Sequence, residues 1–122
     1  MRDDCPFCAR SDIFLENELA YARYDKYPVN PGHLLVVPFR HFANYFDSTA
    51  AEKRALLSLL DKAKKTLDKD RSPGGYNIGV NVGEVAGQTV MHVHIHLIPR
   101  YHGDVANPRG GVRGVIPAKQ SY

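Results

Sequence analysis

Three histidines at alternate positions, His92, His94 and His96, are the residues of this sequence best suited to do chemistry. Apolar residues separate them over 93–97, and a period of two predicts a β-strand whose imidazoles share one face. Because a strand rises about 3.3 Å per residue, the first and third histidines start roughly 13 Å apart. One small ion therefore cannot take all three, and we expect the three rings to have different roles.

A polar turn, Gly87-Gln88-Thr89, comes just before the histidines. Such a turn can offer backbone N–H groups and a hydroxyl to an anion. An imidazole beside an anion-binding turn indicates nucleophilic attack on phosphorus. The alternative is a strand whose histidines only line a polar surface, and three histidines in register make that alternative the weaker one.

The segment 92–98 has the form H-x-H-x-H followed by two apolar residues, with Gly-Gln-Thr-Val at 87–90 and Pro-Arg at 99–100. This pattern resembles the histidine triad (HIT) family of nucleotide hydrolases and transferases. Its lead-in and exit are closest to the fragile-histidine-triad, or diadenosine polyphosphate hydrolase, branch. The resemblance extends over 5–100 and implies a single HIT domain over 1–122.

The composition is that of an ordinary globular domain, with 43% hydrophobic and 24% charged residues in 122. The net charge of +3 suits polyphosphate ligands but gives no reason to expect nucleic acid or a membrane as a partner. No apolar run approaches the about 20 residues that span a bilayer, and the N-terminus does not lead into a signal-peptide core. We therefore expect a cytoplasmic protein.

The two cysteines, Cys5 and Cys8, have the C-x-x-C spacing of half a tetrahedral zinc site. Free thiols and a redox pair are the alternatives. Some HIT proteins hold zinc on such a pair together with two histidines, and the matching positions here are His41 and His92. The resemblance thus implies a structural zinc ion in an N-terminal knuckle over 1–12, and no organic cofactor.

The remaining patterns predict an α+β domain, in which an antiparallel sheet of about five strands packs against one long helix, with a short helix besides. The expected elements are a hairpin over 13–24, a central strand over 33–38, a helix from the capping box at Thr49 to near Arg71, a strand over 76–82 and the triad strand. Leu56, Leu60, Ala63 and Leu67 should form the buried helix face, flanked by Leu57 and Leu59. The family resemblance implies a homodimer.

The C-terminal tail over 101–122 has no clear periodicity. Its Arg109 and Arg113 suit phosphate contact or packing across a dimer, and equally suit a solvated tail. Elsewhere the resemblance implies contacts of Asp25 with the ribose hydroxyls and of Asn81 with the phosphate, although each could instead be a turn residue. His33 would orient the triad.

The family mechanism implies that His94 attacks the α-phosphorus and forms a nucleotidyl–histidine intermediate, which water cleaves to release a nucleoside monophosphate. His96 and the backbone after Gly87 would stabilise the charged oxygens, while Gln88 and Thr89 orient the phosphate and leaving group. The substrate would be a dinucleoside polyphosphate, a phosphoramidate or an adenylylated molecule. The alternatives are a nucleotide-binding sensor, a nucleotidyltransferase or phosphorylase of the same fold, and a catalytic metal site on the triad.

Overall fold

The computed structural model describes residues 4–122 and is built on a five-stranded sheet. The elements are β1 (Leu15–Glu16), β2 (Ala20–Tyr24), β3 (Leu34–Pro38), α1 (Ala50–Arg71), β4 (Gly75–Gly79) and β5 (Ile95–Arg100). The strands lie in the order β1-β2-β3-β5-β4, and all neighbouring strands are antiparallel. The predicted α+β fold is confirmed, and its short helical segments are 3-10 helices at Tyr45–Asp47, Glu84–Ala86, Gly111–Val115 and Pro117–Lys119.

The first two strands form the predicted hairpin, with β1 reduced to two residues. The Asn17 side chain holds the turn because its Oδ1 accepts from the amides of Leu19 and Ala20, at 3.1 and 2.9 Å. β3 lies in the middle of the sheet, as its continuous apolar sequence predicts, and every one of its residues is buried.

Helix α1 begins and ends where its sequence signals place it. The side chain of Thr49 accepts from the amide of Glu52, whose carboxylate accepts in return from the amide of Thr49. Ser72 ends the helix in a left-handed conformation, with φ of 47°. Among residues 4–122, no helix has the length and apolar character needed to cross a membrane.

The sheet separates two apolar layers. On one face, alternate residues of the strands pack against the helix, and this layer contains Ala20, Ala22, Leu34, Val36, Leu56, Leu59, Leu60, Ala63, Leu67, Ile95 and Leu97. The opposite face carries a smaller cluster that includes both cysteines: Cys5, Phe7, Cys8, Tyr21, Leu35 and Val37. The two predicted flanking leucines differ, because Leu59 is fully buried whereas Leu57 is 51% exposed.

The triad strand is shorter than predicted. β5 begins at Ile95, so His92 and His94 precede the strand in irregular backbone. The amide of Val93 donates to the carbonyl of Phe42 at 2.8 Å, outside the sheet ladder, and this bond takes the segment out of strand pairing. β4 likewise ends at Gly79, before the predicted end at 82.

Candidate functional site

The face of the sheet opposite α1 carries a cavity of about 400 Å³. Strand register aligns three of its side chains in a row across the sheet, since His96 pairs with Leu35 and Leu35 pairs with Arg23. Loops at both ends of this row complete the wall of the cavity. The lining consists of Pro6, Phe7, Arg23, Asp25, Lys26, Tyr27, Leu35, Asn81, Gly87, Thr89, Val90, His94 and His96.

The middle histidine has its ring held in one tautomer. Nδ1 of His94 lies 2.8 Å from the carbonyl oxygen of His92, and a carbonyl can only accept, so Nδ1 carries the proton. In the neutral ring the other nitrogen, Nε2, then has a free lone pair. The ring is 8% exposed and packs against Phe7, with the centroids 4.9 Å apart. An oriented, unprotonated imidazole nitrogen beside a cavity is the arrangement that a nucleophile requires.

A chain of hydrogen bonds sets the tautomer of the third histidine. The amide of Val29 donates to Nδ1 of His33 at 3.0 Å, so the proton of His33 is on Nε2. That nitrogen lies 2.9 Å from Nδ1 of His96 and donates to it. His96 therefore keeps its own proton on Nε2. A carboxylate oxygen of Asp25 lies 3.5 Å from Nε2 of His33.

Burial keeps both of these rings neutral. Burial is the main cause, and together with the neighbouring His94 and His33, which would repel a second positive charge, it lowers the pKa of His96 to about 4. Burial also lowers the pKa of His33, and the charge of Asp25 opposes this only in part. At neutral pH the free N–H of His96 is thus a hydrogen-bond donor on an uncharged ring.

Asp25, Asn81, Gly87 and Thr89 all line the cavity, and their contacts with a nucleotide stay predictions. Asp25 also forms the turn that was its alternative, because its Oδ1 accepts from the amide of Tyr27 at 2.9 Å. Its second carboxylate oxygen lies beside His33, and so the two interpretations are compatible.

Gln88 lies behind this wall and is 4% exposed. Its Oε1 accepts from the amide of Gly83 at 2.9 Å, and its Nε2 donates to the carbonyls of Ala43 and Val90 at 2.8 and 3.1 Å. The side chain thus connects both ends of the loop that carries Gly87. Its contact with a phosphate stays a prediction, since these three hydrogen bonds are all made with backbone groups.

Four predicted metal ligands converge on one point. Their ligand atoms, from Cys5, Cys8, His41 and His92, all lie within 4.8 Å of one another. Nδ1 of His92 is 3.3 and 3.5 Å from the two sulfurs and 3.1 Å from Nδ1 of His41. Bonds of about 2.1 Å to nitrogen and 2.3 Å to sulfur place tetrahedral zinc ligands about 3.5 Å apart, so this group could bind a metal ion.

The orientation of His92 supports the same conclusion. Its Nε2 donates to the carbonyl of Pro38 at 2.8 Å, and this bond leaves the lone pair of Nδ1 directed at the sulfurs. Both cysteines are free thiols in a buried setting. The three histidines of the triad therefore lie in two different sites. His92 belongs to the group of metal-ligand candidates, whereas His94 and His96 line the cavity.

Phe7 and Arg23 are cavity residues that sequence reasoning missed. The sequence carried no signal for Arg23, because the full burial of the preceding residues, Tyr21 and Ala22, is known only from the structure. Phe7 lies between Cys5 and Cys8. Because the two cysteines lie against His92, the residue between them is brought next to His94.

The fold and the site together define a histidine-triad domain, in which a five-stranded sheet presents three histidines with separate partners. A family model described as HIT domain matches residues 8–103. The chain belongs to the HIT domain family.

Named proteins from several organisms are similar to this chain in sequence or in structure. It is 38% identical over 93 residues to an AP-4-A phosphorylase of Mycobacterium tuberculosis, covering 75% of this chain and 48% of that protein. It is 38% identical over 98 residues to the asymmetrical bis(5'-nucleosyl)-tetraphosphatase of Schizosaccharomyces pombe, covering 80% and 54%. The chain thus spans about half the length of these relatives. A Zn-bound histidine triad family protein from Mycobacterium smegmatis superposes with a TM-score of 0.76 at 28% identity, covering 85% of this chain and 80% of that one.

Proposed function

We propose that this protein hydrolyses the α-phosphate linkage of a nucleotide, with a dinucleoside polyphosphate as the favoured substrate, and releases a nucleoside monophosphate. The observation that carries the proposal is the 2.8 Å bond from Nδ1 of His94 to the carbonyl of His92, beside the cavity. It leaves Nε2 of His94 free to attack phosphorus.

The reaction has two displacements. In the first, the lone pair of Nε2 forms a bond to the α-phosphorus, and the bond from phosphorus to the leaving oxygen breaks with its electron pair. The ring then carries a positive charge, which the bond from Nδ1–H to the carbonyl of His92 stabilises. In the second, a water oxygen attacks phosphorus, the P–N bond breaks, and the neutral imidazole is restored as the water proton leaves to solvent.

His96 is placed to stabilise the charge on the phosphate. Its Nε2–H is the donor left over once Nδ1 accepts from His33 at 2.9 Å. A neutral donor of this kind is suited to the non-bridging oxygens, which carry the charge in both displacements. Gly87 and Thr89, which line the same cavity, provide further backbone and hydroxyl donors. Asp25 can accept from the two ribose hydroxyls.

The names of the relatives support the substrate class. One is called a phosphorylase and the other a tetraphosphatase, and both names refer to dinucleoside polyphosphates. Phosphorolysis is therefore the second candidate, in which inorganic phosphate replaces water in the second displacement and the product is a nucleoside diphosphate. The two outcomes differ only in the acceptor, so both need the same His94.

We further propose that Cys5, Cys8, His41 and His92 hold a structural zinc ion. Four protein ligands close a tetrahedral site, and the ion would then contribute folding free energy and no chemistry at the phosphate. The homodimer that the resemblance implies stays a prediction, which analytical ultracentrifugation of the metal-loaded protein tests.

The decisive experiment compares His94→Ala with the wild-type protein on a dinucleoside tetraphosphate. We expect monophosphate release to fall by about 10³-fold or more, because removal of the nucleophile leaves only binding and orientation. Intact-mass spectrometry of quenched wild-type reactions should show a nucleotide adduct that the variant lacks. His102→Ala, at an exposed position outside the cavity, is the control. Adding inorganic phosphate distinguishes hydrolysis from phosphorolysis by the product formed.

Two results would contradict the proposal. Retention of most of the activity by His94→Ala would remove the covalent route. Activity that is lost with a chelator and regained with metal, while the protein stays folded by circular dichroism, would instead favour a catalytic metal site on the triad.

A further inference from the structure

A second group of nucleophilic side chains, the thiols of Cys5 and Cys8, takes no part in the proposed reaction. Both cysteines are free, and the amide of Cys8 donates to the carbonyl of Cys5 at 3.2 Å, which makes residues 5–8 a turn. A β-turn keeps its first and last Cα atoms within about 7 Å, and a disulfide spans about 4.4–6.8 Å between Cα atoms. The two sulfurs are among the ligand atoms that lie within 4.8 Å of one another. Small side-chain rotations therefore suffice to join them.

Each cysteine borders a cleft that a small molecule can enter. Cys5 lines a cleft of about 340 Å³ together with His41 and Met91. Cys8 lines a second cleft, of about 400 Å³, together with Arg10 and His41. The cysteines themselves are buried, so large reagents are kept out, whereas hydrogen peroxide is little larger than water. The pair is thus accessible to a peroxide.

The residues between the two cysteines belong to the wall of the nucleotide cavity. Pro6 and Phe7 both line the cavity, and the ring of Phe7 packs 4.9 Å from the ring of His94. The same ring meets the edge of His92 at 6.1 Å. A disulfide fixes its two sulfurs about 2.05 Å apart, so the short segment that joins the cysteines must adjust, and Phe7 with it. The oxidation state of the sulfurs is therefore transmitted to the cavity.

A metal ion and a disulfide cannot occupy the cysteine pair together. The thiolate is the form of cysteine that binds a metal, and a disulfide contains no thiolate. Without the two sulfurs, only the nitrogens of His41 and His92 would remain of the four candidate ligand atoms. Two ligands do not make the four-coordinate site of a structural zinc ion, so oxidation of the pair would release the ion.

We propose that Cys5 and Cys8 are an oxidation site for hydrogen peroxide, at which an intramolecular disulfide replaces the metal ion and weakens nucleotide binding in the neighbouring cavity. The inference rests on the proposed function in assuming that a metal ion binds at the cysteines and a nucleotide in the cavity.

The oxidation has two steps. In the first, one thiolate sulfur attacks a peroxide oxygen, the O–O bond breaks, and hydroxide leaves a sulfenic acid behind. In the second, the other thiolate attacks the sulfenic sulfur, the S–O bond breaks, and a second hydroxide leaves as the S–S bond forms. The two sulfurs lose two electrons, the peroxide gains them, and two protons from solvent convert both hydroxides to water.

The test treats the zinc-loaded wild-type protein with hydrogen peroxide and makes three measurements. Released zinc is measured with the dye 4-(2-pyridylazo)resorcinol, free thiols by mass after reaction with N-ethylmaleimide, and AMP affinity by isothermal titration calorimetry. We expect release of the zinc ion, loss of both thiols together, and a fall of about tenfold in AMP affinity, which is the size of one lost aromatic packing interaction. Dithiothreitol followed by zinc should reverse all three changes.

Two variants separate the steps of this argument. Met91→Leu removes the thioether from the cleft that Cys5 lines and should leave all three changes as in the wild-type protein, because the sulfur oxidised is not that of Met91. Phe7→Leu should release zinc as the wild-type protein does, but its AMP affinity should change little on oxidation, because the ring that packs on His94 is absent.

The wild-type measurements decide the matter even if a variant fails to fold. Disulfide-linked dimers on a non-reducing gel, sulfur oxidation without a disulfide, or an unchanged AMP affinity in the oxidised protein would overturn the proposal. A protein that hydrolyses its substrate but carries no zinc would refute this inference and leave the proposed reaction standing. A protein that shows all three changes without hydrolase activity would refute the reaction alone.

Discussion

Acidification should destabilise this protein through the imidazole of His96. Burial lowers the pKa of that ring in the folded state to about 4, and a histidine in the unfolded chain titrates near about 6.5. Between these values the unfolded chain binds a proton that the folded protein does not. The contribution of the neutral His96 ring to the free energy of unfolding is therefore fully present above the unfolded pKa and is lost as the pH falls towards 4.

The size of the effect follows from the two pKa values. At about pH 5 most of the unfolded chains and about a tenth of the folded molecules carry this proton, and the difference removes about 2 kcal/mol relative to neutral pH. Complete titration would remove about 3 kcal/mol. Small domains have about 5–15 kcal/mol of stability in total, so the effect of one ring is large enough to measure.

Urea unfolding at about pH 7.5 and about pH 5 tests this, with wild-type protein and with His96→Asn. Asparagine can still accept from Nε2 of His33, which donates to His96 across 2.9 Å, but it does not titrate. We expect the wild-type protein to lose about 2 kcal/mol more than the variant over this interval. His102→Asn, at an exposed position, should behave like the wild-type protein. Equal losses in the wild-type protein and His96→Asn would refute the buried, neutral state of this ring.

Three further changes test the fold and the loop by urea unfolding. Thr49→Ala removes the acceptor for the amide of Glu52 and should cost about 1 kcal/mol, while Thr49→Ser should cost less; equal losses would contradict the capping role. Leu59→Ala should cost about 2–5 kcal/mol because the side chain is fully buried, and Leu57→Ala, at a half-exposed position, less than about 0.5 kcal/mol. Gln88→Ala leaves buried backbone groups without partners and should cost about 1–3 kcal/mol, with faster amide exchange in the loop it braces; unchanged exchange would contradict that bracing role.

The elements that could be predicted well are those whose signals are local. Thr49 and Glu52 are three residues apart, so the capping box and the start of α1 can be predicted from one short segment. The same holds for the continuous apolar run of β3. The start of β5 could not be predicted in this way, because the amide of Val93 bonds to the carbonyl of Phe42, which belongs to a distant loop.

The metal group and the cavity show the same contrast between local sequence signals, which could be predicted, and long-range contacts, which could not. The C-x-x-C spacing and the family resemblance identified Cys5, Cys8, His41 and His92, and the structure brings them together. Sequence reasoning missed Arg23 because a charged residue in a strand is expected to be exposed to solvent. Its burial depends on Pro6, Phe7 and Leu35, which approach it from two other parts of the chain.

The sequence by itself determined which chemical groups this protein presents and, within β3 and β5, which residues alternate between the two faces of the sheet, because the side-chain period of a strand is a local property of the backbone. The structure alone decided what state those groups are in. The proton positions on His94 and His96 follow from acceptors and donors on His92, His33 and Val29, and the link between His33 and His96 joins residues 63 positions apart. Hydrogen bonds act over about 3 Å, so only folding can bring such partners into range.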